Sequence, residues 1–439
     1  MTEENNNDAI IYPLRNFDYH YNGPMFIRGE GIYLFDDKGK KYIDTISGLW
    51  NVPIGYSNDA INKAVITQLS DLHFVNLYSN NSPIVKLYAN KLIDILNGDF
   101  SRLIYTCSGS ESIECAIKIA RKYFKLKNKP NKNKIAVLDM SYHGTTYAAM
   151  SASGMDTEES QKYAPIVGGF IRIKTPFCSC CESETMTASC KREPLESLHN
   201  LFEESSDIAA VIIEPVIGSG GIISIPDWYL SELKSLTDKN ECLIIFDEVA
   251  TGFGRTGSLF NYMSSSVKPD VLCLAKGINN GVIPMGATLI NKKIEDLFIH
   301  NEQFIEHFST QNGNPLACSA AYATIQLCDK ATMEHVLLVG GYLREQLIKN
   351  LSSLGMVRCV RGKGLMVAID LVDKNRVPIS MIQLEDIQAS LKKRGLIIYP
   401  FIIEEKTSGI SLFPSFVIST QEVDKIVSIL SKTFAKYCF

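Results

Sequence analysis

The sequence predicts an α/β protein in which helices cover a mostly parallel sheet and both ends of the chain form a second, smaller lobe. Two observations lead to this fold class. Between about residues 58 and 310, short apolar runs typical of buried strands alternate with helix-like stretches. Near the ends, at residues 28–45 and 360–371, strand-and-turn patterns appear instead. We therefore divide the chain into residues 1–57 and 319–439, which form the smaller domain, and residues 58–318, which form the larger one.

Composition excludes several classes of protein. The formal charge of −4 gives no electrostatic basis for binding nucleic acid. No apolar run approaches the roughly 18 residues that a membrane span needs. The first eight residues are acidic and polar and lack the basic and apolar regions of a secretory signal. We therefore expect a cytoplasmic protein that has neither a nucleic-acid nor a membrane partner.

The N-terminal part of the smaller domain is expected to begin with a β-hairpin. Alternating apolar residues lie on both sides of the polar turn at residues 37–40. The loop 48–56 follows and contains Trp50, one of only two tryptophans in the chain. From the residues alone, Trp50 is either an anchor of the core or part of a pocket wall.

The first candidate binding element is a glycine turn between a strand and a helix. Residues 102–107 have the pattern of a strand, and apolar residues at helical spacing begin at Ile113. Between them lie Ser108, Gly109 and Ser110. The N–H groups of such a turn and the positive end of the helix dipole suit a phosphate group. Considered alone, the turn is explained equally well as an N-terminal cap by serine.

Two further strands are predicted to bring an acid and an amine to the same edge of the sheet. The apolar run 243–246 ends in Asp247 and Glu248, and the apolar run 271–274 precedes Lys276. Ligands of open α/β sheets bind at the carboxyl ends of the strands, so Asp247 and Lys276 are expected to be neighbours. Desolvation would lower the pKa of the lysine and favour a nucleophilic amine. The alternative is a lysine that simply emerges from a strand into solvent.

Together, the lysine, the carboxylate and the phosphate cradle predict a site for pyridoxal 5′-phosphate (PLP). Lys276 would form a Schiff base with the aldehyde of the cofactor, and Asp247 would keep the pyridine nitrogen protonated so that the ring can accept electrons. Tyr142, which follows the predicted strand 135–139, would stack on one face of the ring, and Val249 would pack on the other. A surface tyrosine in a turn is the alternative interpretation of Tyr142.

A competing motif is rejected. Residues 252–257 match the G-x-G-x-x-G pattern of dinucleotide-binding proteins. However, the preceding strand ends in Asp247 and Glu248, whose carboxylates would repel a pyrophosphate. The residues after Gly257 also lack helical periodicity. A dinucleotide site is therefore not expected here.

From about Ile27 to its C-terminus, the chain resembles the class III (omega-type) aminotransferases of the fold type I group of PLP enzymes. Within that family it is most similar to the omega-amino acid:pyruvate and 4-aminobutyrate transaminases. The motifs that support the resemblance are at residues 107–111 (CSGSE), 141–144 (SYHG), 213–215 (IEP), 246–257 (FDEVATGFGRTG) and 274–277 (LAKG). The resemblance implies a large domain with a seven-stranded-type sheet and a homodimer whose active sites lie at the subunit interface.

The resemblance also implies roles for individual residues. His143 and Glu214 are implied to lie at the cofactor together with Tyr142, and Thr310 is implied to cap the cofactor phosphate from the partner subunit. The residues implied to wall the substrate pocket are Leu49, Trp50, Phe74, Tyr78 and Ser219.

One departure from the family pattern concerns the substrate. Omega-amino acid transaminases usually carry a mobile arginine that binds the substrate carboxylate, about ten residues before a proline-containing strand. Aligned on residues 413–416, this chain has Glu404 or Glu405 there, with Lys406 adjacent. A carboxylate would attract a cationic substrate, such as a polyamine, an amino alcohol or an amine-bearing intermediate. The alternative is that this loop is simply exposed and that Lys406 or another basic residue binds the carboxylate.

The chain contains 12 cysteines, and four of them are clustered at Cys178, Cys180, Cys181 and Cys190. The others mostly lie singly in apolar runs and are expected to be buried core residues. The cluster is compatible with thiols, with a zinc or iron–sulfur site, or with a disulfide. Because the spacing lacks a clean pair of Cys-x-x-Cys motifs, thiols in a reducing compartment are expected and no metal is assigned.

These inferences predict a ping-pong aminotransferase that moves an amino group from a small-molecule donor, expected to be a terminal amine or omega-amino compound, to a keto acid or aldehyde. Lys276 would act as general base and acid. The same motifs would also serve a decarboxylase, racemase, aminomutase or lyase. A PLP-binding protein that has lost catalysis is the alternative of a different class.

Overall fold

The computed structural model of the chain describes residues 9–17, 19–155, 157–179, 185–403 and 405–437. The predicted N-terminal hairpin is present. Strand β1 (Phe26–Glu30) pairs antiparallel with β2 (Tyr33–Asp36), which pairs antiparallel with β3 (Lys41–Asp44). The carboxylate of Asp36 accepts hydrogen bonds from the N–H groups of Lys38 and Lys40, which fixes the turn between β2 and β3.

Strands and helices then alternate over the large central part, as the sequence predicts. The elements in chain order are α1 (Ser47–Trp50), α2 (Asp59–Asp71), α3 (Pro83–Ile95), β4 (Arg102–Thr106), α4 (Gly109–Leu126), β5 (Lys134–Leu138), α5 (Tyr147–Ala152), α6 (Thr157–Gln161), β6 (Phe170–Ile173), α7 (Ala188–Glu204), β7 (Ile208–Ile213), β8 (Val216–Ile217), β9 (Ile223–Ser224), α8 (Asp227–Lys239), β10 (Leu243–Asp247), β11 (Val271–Leu274), β12 (Gly286–Ile290) and α9 (Lys292–His300). Two 3₁₀-helices lie at Asn261–Ser264 and Lys276–Asn279.

The central sheet confirms the predicted fold class. In the described part of the chain it has seven strands in the order β4-β12-β11-β10-β7-β5-β6. The pairs within β11-β10-β7-β5-β6 are all parallel, whereas β12 runs antiparallel to both β11 and β4. The connection from β11 to β12 holds only residues 275–285, which is too short for the helical crossover that a parallel pair needs.

The sheet strands are apolar because both faces are covered. Strands β7, β10, β11 and β12 are buried along their whole length. On one face, α4 buries the predicted apolar stripe, which includes Ile113, Ala116 and Ala120. Helices α3 and α10 (Pro315–Leu327) pack on the opposite side, so the edge formed by the strand ends is the part of the sheet left open for a ligand.

The C-terminal part forms a second α+β unit. Its elements are α10 (Pro315–Leu327), α11 (Lys330–Leu351), β13 (Val357–Lys363), β14 (Met366–Leu371), α12 (Met381–Lys393), β15 (Leu396–Ile397), β16 (Tyr399–Ile403), β17 (Thr407–Leu412) and α13 (Thr420–Phe434). Strands β13-β14-β17-β16 form an antiparallel sheet, whereas β15 pairs parallel with β3. This pairing joins the two chain ends and supports the domain division at residues 57 and 318, which stays a proposal. None of the helices in the described residues is long and apolar enough to cross a membrane.

Candidate active site

A cavity of about 390 Å³ opens where β5, β7, β10 and β11 end. The polypeptide that follows each of these strands contributes to its wall, as expected for ligand sites of open α/β sheets. The lining residues are Leu49, Trp50, Asn51, Cys107, Ser108, Gly109, Ser110, Tyr142, His143, Gly144, Glu214, Ser219, Asp247, Val249, Ala250, Ala275, Lys276, Asn279, Gly281, Ile283, Pro284 and Met285. The structure thus brings together most of the residues predicted to hold a cofactor.

Lys276 lies at the start of the 3₁₀-helix that follows β11. Its φ of 43° is in the left-handed region, which residues other than glycine seldom adopt and which often marks functional sites. Its Nζ atom lies 4.8 Å from the ring centroid of Trp50. Burial lowers the pKa of the amine, and the carboxyl groups of Asp247 and Glu214 oppose this shift. The lysine therefore faces the cavity rather than solvent.

Asp247 ends β10 and is held in one orientation. Its Oδ2 atom lies 2.7 Å from Nδ1 of His143, and its Oδ1 atom accepts a 3.0 Å hydrogen bond from the N–H of Val249. The side chains of both Asp247 and His143 are buried. Among the described residues, Nε2 of His143 has no hydrogen-bond partner. A buried carboxylate that is fixed by two donors is suited to pair with a protonated ring nitrogen.

Glu214 connects two loops beneath the cavity. Its Oε1 atom accepts a hydrogen bond from the N–H of Tyr142 (2.9 Å), and its Oε2 atom accepts one from the N–H of Gly218 (3.0 Å). Burial raises the pKa of Glu214 to about 7; the nearby negative charge of Asp247 acts in the same direction, whereas His143 opposes it. The side chain therefore positions Tyr142 and the turn that carries Ser219.

The predicted phosphate cradle lies at the N-terminus of α4. The Oγ atom of Ser108 caps this helix by accepting a 3.1 Å hydrogen bond from the N–H of Glu111, so the capping interpretation is confirmed. The first N–H groups of the helix lack partners within the helix. They lie at the N-terminus, which is the positive end of the helix dipole and which lines the cavity. A Cβ atom on Gly109 would lie 2.8 Å from Cγ1 of Val249. Glycine is therefore required for the close approach between the cradle and Val249.

These residues fit PLP. An amine of lowered pKa, a buried carboxylate and the N-terminus of an 18-residue helix line one cavity. Lys276 would hold the aldehyde carbon, Asp247 the ring nitrogen, and residues 108–110 the phosphate. Each of these three groups has the chemistry that its part of the cofactor requires.

Three of the predicted pocket residues line the cavity. The ring of Trp50 is buried and stacks on Phe413, with 4.2 Å between the ring centroids. Leu49 is 54 % exposed at the opening, and Ser219 is partly buried in the wall. Ser47 and Trp50 have φ values of 48° and 68°, so the turn that presents Leu49 and Trp50 to the cavity has a strained backbone.

Three other predicted residues lie outside the cavity of their own chain. Phe74 is partly buried and Thr310 is exposed. Tyr78 is 84 % exposed and packs edge-to-face against Phe308, with 6.1 Å between the ring centroids. Tyr78 and Phe308 line a second cavity of about 760 Å³. A role for Thr310 at the cofactor therefore requires a second subunit.

Glu405, which the alignment predicts to lie in the substrate pocket, is outside the cavity of its own chain. Glu405 is exposed in the turn between β16 and β17, has a φ of 59° and does not line the cavity. The neighbouring Lys406 donates a 2.9 Å hydrogen bond to Oδ2 of Asp139, which fixes the turn away from the cavity. Glu404 lies outside the described residues. The charge argument for a cationic substrate is therefore not supported by the described part of this turn.

Several residues of the site were missed at the sequence level. Residues 283–285 line the cavity because they lie in the short connection between β11 and β12, and their position after the strand of Lys276 is a signal that could have identified them. Arg361 on β13 was missed because it acts over a long sequence distance. Its Nε donates a 2.8 Å hydrogen bond to the carbonyl of Gly221, in the turn that carries Ser219, and its Nη1 lies 2.6 Å from a carboxylate oxygen of Asp370.

The rejected dinucleotide motif has a structural function instead. Glu248 is buried and accepts hydrogen bonds from the N–H groups of Asn261 (2.6 Å) and Tyr262 (2.8 Å). These bonds close the loop that contains residues 252–257. Within this loop, the buried Arg255 extends to the carbonyl of Pro414 in the C-terminal part of the chain. The loop therefore packs against protein and leaves no room for a pyrophosphate.

Metal ligation was not assigned from the sequence. Within the part of the chain that the structure describes, no group of three or more histidine, cysteine or acidic side chains could hold a metal ion. Of the clustered cysteines, Cys178 and Cys190 are described, whereas Cys180 and Cys181 lie outside the described residues.

Comparison with known proteins agrees with this geometry. The model of the family "Aminotransferase class-III" matches residues 19–434. The chain is 34 % identical to the adenosylmethionine-8-amino-7-oxononanoate aminotransferase of Staphylococcus aureus, with 92 % of this chain and 90 % of that protein covered. An (S)-enantioselective omega-transaminase from Thermomicrobium roseum superposes with a TM-score of 0.89 at 31 % identity, and the match covers 97 % of this chain and 96 % of the transaminase. A PLP-bound amine transaminase from an uncultivated Pseudomonas species superposes with a TM-score of 0.88 at 30 % identity and covers 98 % and 99 % of the two chains.

The family match extends over nearly the whole chain and includes each strand end that forms the cavity. The predicted fold type I architecture, PLP cofactor and transamination chemistry are thereby confirmed. The chain belongs to the class III aminotransferases, which are PLP-dependent enzymes of the fold type I group.

Proposed function

We propose that this enzyme transfers an amino group from a terminal amine or omega-amino compound to a keto acid or aldehyde. The single observation that carries the proposal is that Lys276, Trp50 and Asp247 line one cavity. The ring of Trp50 lies 4.8 Å from the amine and is proposed to form an apolar wall for the substrate, while the carboxyl group of Asp247 is proposed to face the cofactor. The similarity to omega-transaminases supports the same substrate class.

Bound PLP supplies an aldehyde that condenses with amines and a ring that accepts electrons from the substrate carbon. The chain supplies the remaining chemistry. We assign to Asp247 the task of keeping a proton on the ring nitrogen, because its orientation is fixed by His143 and by the N–H of Val249. His143 acts through Asp247 and is therefore a positioning residue.

Lys276 is assigned as the base and acid of the reaction. Its lowered pKa increases the fraction of neutral amine, which can remove a proton from the substrate carbon that bears the nitrogen. The resulting ammonium group would then deliver the proton to the former aldehyde carbon of the cofactor, on the other side of that nitrogen. The ring of Trp50, 4.8 Å from this amine and buried, is proposed to limit the access of water to the transferred proton.

The flat sides and the phosphate of the cofactor would be bound by the remaining cavity residues. Tyr142 and Val249 are assigned to opposite faces of the ring, and Glu214 orients the backbone of Tyr142. Residues 108–110 at the start of α4 are assigned to the phosphate. Thr310 of the partner subunit is proposed to add a hydroxyl donor to that phosphate.

A homodimer is part of this proposal. Phe304, Phe308 and Tyr78 are 69 %, 59 % and 84 % exposed and lie around the second cavity. Exposed aromatic side chains that cluster in this way are typical of protein interfaces. The segment that holds Phe308 continues directly into Thr310, so covering the cluster with a second copy would bring the two active sites close to the interface.

Leu49, Trp50 and Ser219 are proposed to contact the substrate, because they line the cavity that contains Lys276. Phe74 and Tyr78 are proposed to reach the partner's pocket across the interface. We place the enzyme in the cytoplasm, in line with the absence of disulfides among the cysteines that the structure describes.

The test is an absorbance spectrum of the PLP-loaded protein, recorded before and after a panel of amines is added without an acceptor. A visible band that disappears with a terminal amine and returns with pyruvate or 2-oxoglutarate would support the proposed donor class and identify both substrates. A band that responds only to α-amino acids would overturn the proposed donor class. Lys276→Ala protein serves as the control for light scattering and for nonspecific reaction of free PLP.

A further inference from the structure

The segment between β6 and α7 brings two thiols together on its two stems. Sγ of Cys178 lies 3.3 Å from Sγ of Cys190, although the two residues are 12 positions apart. Both side chains are partly buried and therefore partly accessible. A disulfide bond is about 2.05 Å long, so the two sulfur atoms need to approach by only about 1.3 Å to form one.

The position of each stem is fixed by hydrogen bonds near the cysteine. Before Cys178, the N–H of Thr175 donates to Oδ1 of Asp139 (2.9 Å), and the N–H of Phe177 donates to the carbonyl of Thr175 (2.8 Å). Cys190 lies in the first turn of α7, where its N–H donates to the capping oxygen of Thr187 (3.3 Å). The fold itself therefore holds the two thiols close together.

From this geometry we propose that Cys178 and Cys190 are a redox-active pair that forms a reversible intramolecular disulfide with low-molecular-weight disulfides. The thiolate of Cys190 attacks one sulfur of the reagent, which breaks the S–S bond of the reagent and releases one thiolate. The thiolate of Cys178 then attacks Sγ of Cys190 and displaces the second reagent thiolate. The two cysteines lose two protons and two electrons, and the reagent gains them.

The order of attack follows from the position of Cys190. The N-terminus of an α-helix stabilises negative charge, so the thiolate forms more readily in the first turn of the 17-residue helix α7 than in the irregular segment that carries Cys178. Cys178 then acts as the resolving thiol because its Sγ lies 3.3 Å from Sγ of Cys190.

The redox state of Cys178 and Cys190 is expected to affect the wall of the substrate cavity. Phe177 precedes Cys178, and its ring centroid lies 5.4 Å from the guanidinium carbon of Arg361. The same guanidinium donates to the carbonyl of Gly221, in the turn that carries Ser219 of the cavity wall. Movement of Cys178 toward Cys190 would therefore shift Phe177 and the support of this wall.

The experiment uses the full-length PLP-bound enzyme with Cys180 and Cys181 replaced by serine. Cleavage after Lys174 and Lys191 yields one peptide, and in this variant it contains only Cys178 and Cys190. The protein is incubated with glutathione disulfide or with dithiothreitol, and its remaining thiols are alkylated. The mass of the peptide is then measured by mass spectrometry. We expect the oxidised peptide to be two hydrogen atoms lighter and unalkylated, and the reduced peptide to carry two alkyl groups.

Two controls make the result decisive. Adding Cys178→Ser should leave Cys190 as a stable mixed disulfide with glutathione, since the resolving thiol is missing. In the variant that retains both thiols, oxidation should raise KM for the amine, and this change should be absent after Cys178→Ser. Two alkyl groups on the peptide after oxidation would overturn the disulfide, and an unchanged KM would overturn its connection to the cavity. Stoichiometric zinc in the purified wild-type enzyme, lost on either Cys178→Ser or Cys190→Ser, would replace the redox pair with a metal site.

Discussion

Nδ1 of His143 lies 2.7 Å from Oδ2 of Asp247, and both side chains are buried. This contact orients the carboxylate that we assign to the ring nitrogen of PLP. We expect His143→Ala to lower kcat/KM by about tenfold to a hundredfold, the range typical of residues that orient a ligating group. Asp247→Ala should have a larger effect. Steady-state kinetics at saturating PLP measures both.

His335 is the matched control for His143. His335 is partly buried, whereas His143 is fully buried, and Nε2 of His335 lies 2.9 Å from the carbonyl of Ile418, outside the cavity. His335→Ala should leave kcat/KM nearly unchanged. Equal losses in the His143 and His335 variants would show that the effect comes from general destabilisation rather than from Asp247.

Replacement of Lys276 should remove the covalent link to the cofactor and the proton transfer. We expect Lys276→Ala to lower kcat by at least the roughly 10²–10⁴-fold that general acid–base catalysis contributes. Reduction of the wild-type enzyme with borohydride should leave the mass of the cofactor on the peptide that contains Lys276. Lys132 is the matched control, because burial also lowers the pKa of its amine although it lies outside the cavity. Label on Lys132, or equal loss in Lys132→Ala, would contradict the assignment.

The carboxyl group of Glu248 should make stability depend on pH. Burial raises the pKa of Glu248 to about 7, and the N–H groups of Tyr262 and Asn261 oppose this shift. Because the pKa is higher in the folded than in the unfolded state, the contribution is fully present below about pH 4.5 and is lost as the pH rises through about 7. The loss amounts to about 3 kcal/mol, at ~1.4 kcal/mol per pKa unit.

Glu248→Gln tests this contribution, because glutamine does not titrate. The free energy of unfolding, measured with urea between pH 5 and 8, should fall with pH more steeply in the wild type than in the variant. An identical slope in both proteins would show that Glu248 titrates normally. Glu295 is a suitable comparison, since its pKa is lowered to about 2 and Glu295→Gln should not change the slope in this range.

Arg361 should control the substrate pocket without touching the substrate. Arg361 and Arg358 both bind Asp370, with distances of 2.6 and 2.8 Å, but only the Arg361 side chain is seen to donate to the carbonyl of Gly221. Arg361→Lys keeps the charge and loses the planar fork. We expect KM for the amine to rise while kcat changes less, and Arg358→Lys to leave KM close to the wild-type value. Equal changes in both variants would locate the effect at Asp370 instead.

The aromatic cluster on the surface should be covered by a second subunit. Phe308→Glu places a charge in this cluster and should convert the dimer to a monomer with weaker PLP binding, as measured by light scattering and absorbance. The matched control is Ile382→Glu on α12, since Ile382 is 79 % exposed and lies outside the cavity lined by Phe308. A monomeric wild type, or a dimer that persists in Phe308→Glu, would contradict the proposed interface.

The sequence predicts the centre of the site well, because local patterns define it. Asp247 and Lys276 each follow an apolar run, and the rule that ligands bind at the ends of parallel strands places them together. The helix start at residues 108–110 is defined by one strand, one glycine and one helical stripe. Each of these signals lies within about ten residues of the functional group.

Contacts between distant segments were not predictable in the same way. Arg361 supports the turn at Gly221 across 140 residues, and no local pattern distinguishes it from a surface arginine. The surroundings of Glu405 have the same origin. The alignment places Glu404 or Glu405 where the family usually has a mobile arginine, but the exposed turn and the Lys406–Asp139 contact can be recognised only in three dimensions.

The parallel pairing of β3 with β15 has a consequence for the synthesis of the protein on the ribosome. The N–H of Ile43 bonds to the carbonyl of Gly395, and the N–H of Thr45 to that of Ile397, so the edge of the first sheet is completed by residues near the end of the chain. Residues 41–45 must therefore wait until residues 395–397 have been synthesised, while the central sheet can assemble from neighbouring segments. A nascent chain arrested before Leu396 should expose residues 26–44 to proteases. Protection of that segment in the arrested chain would show that the N-terminal hairpin is stable without β15.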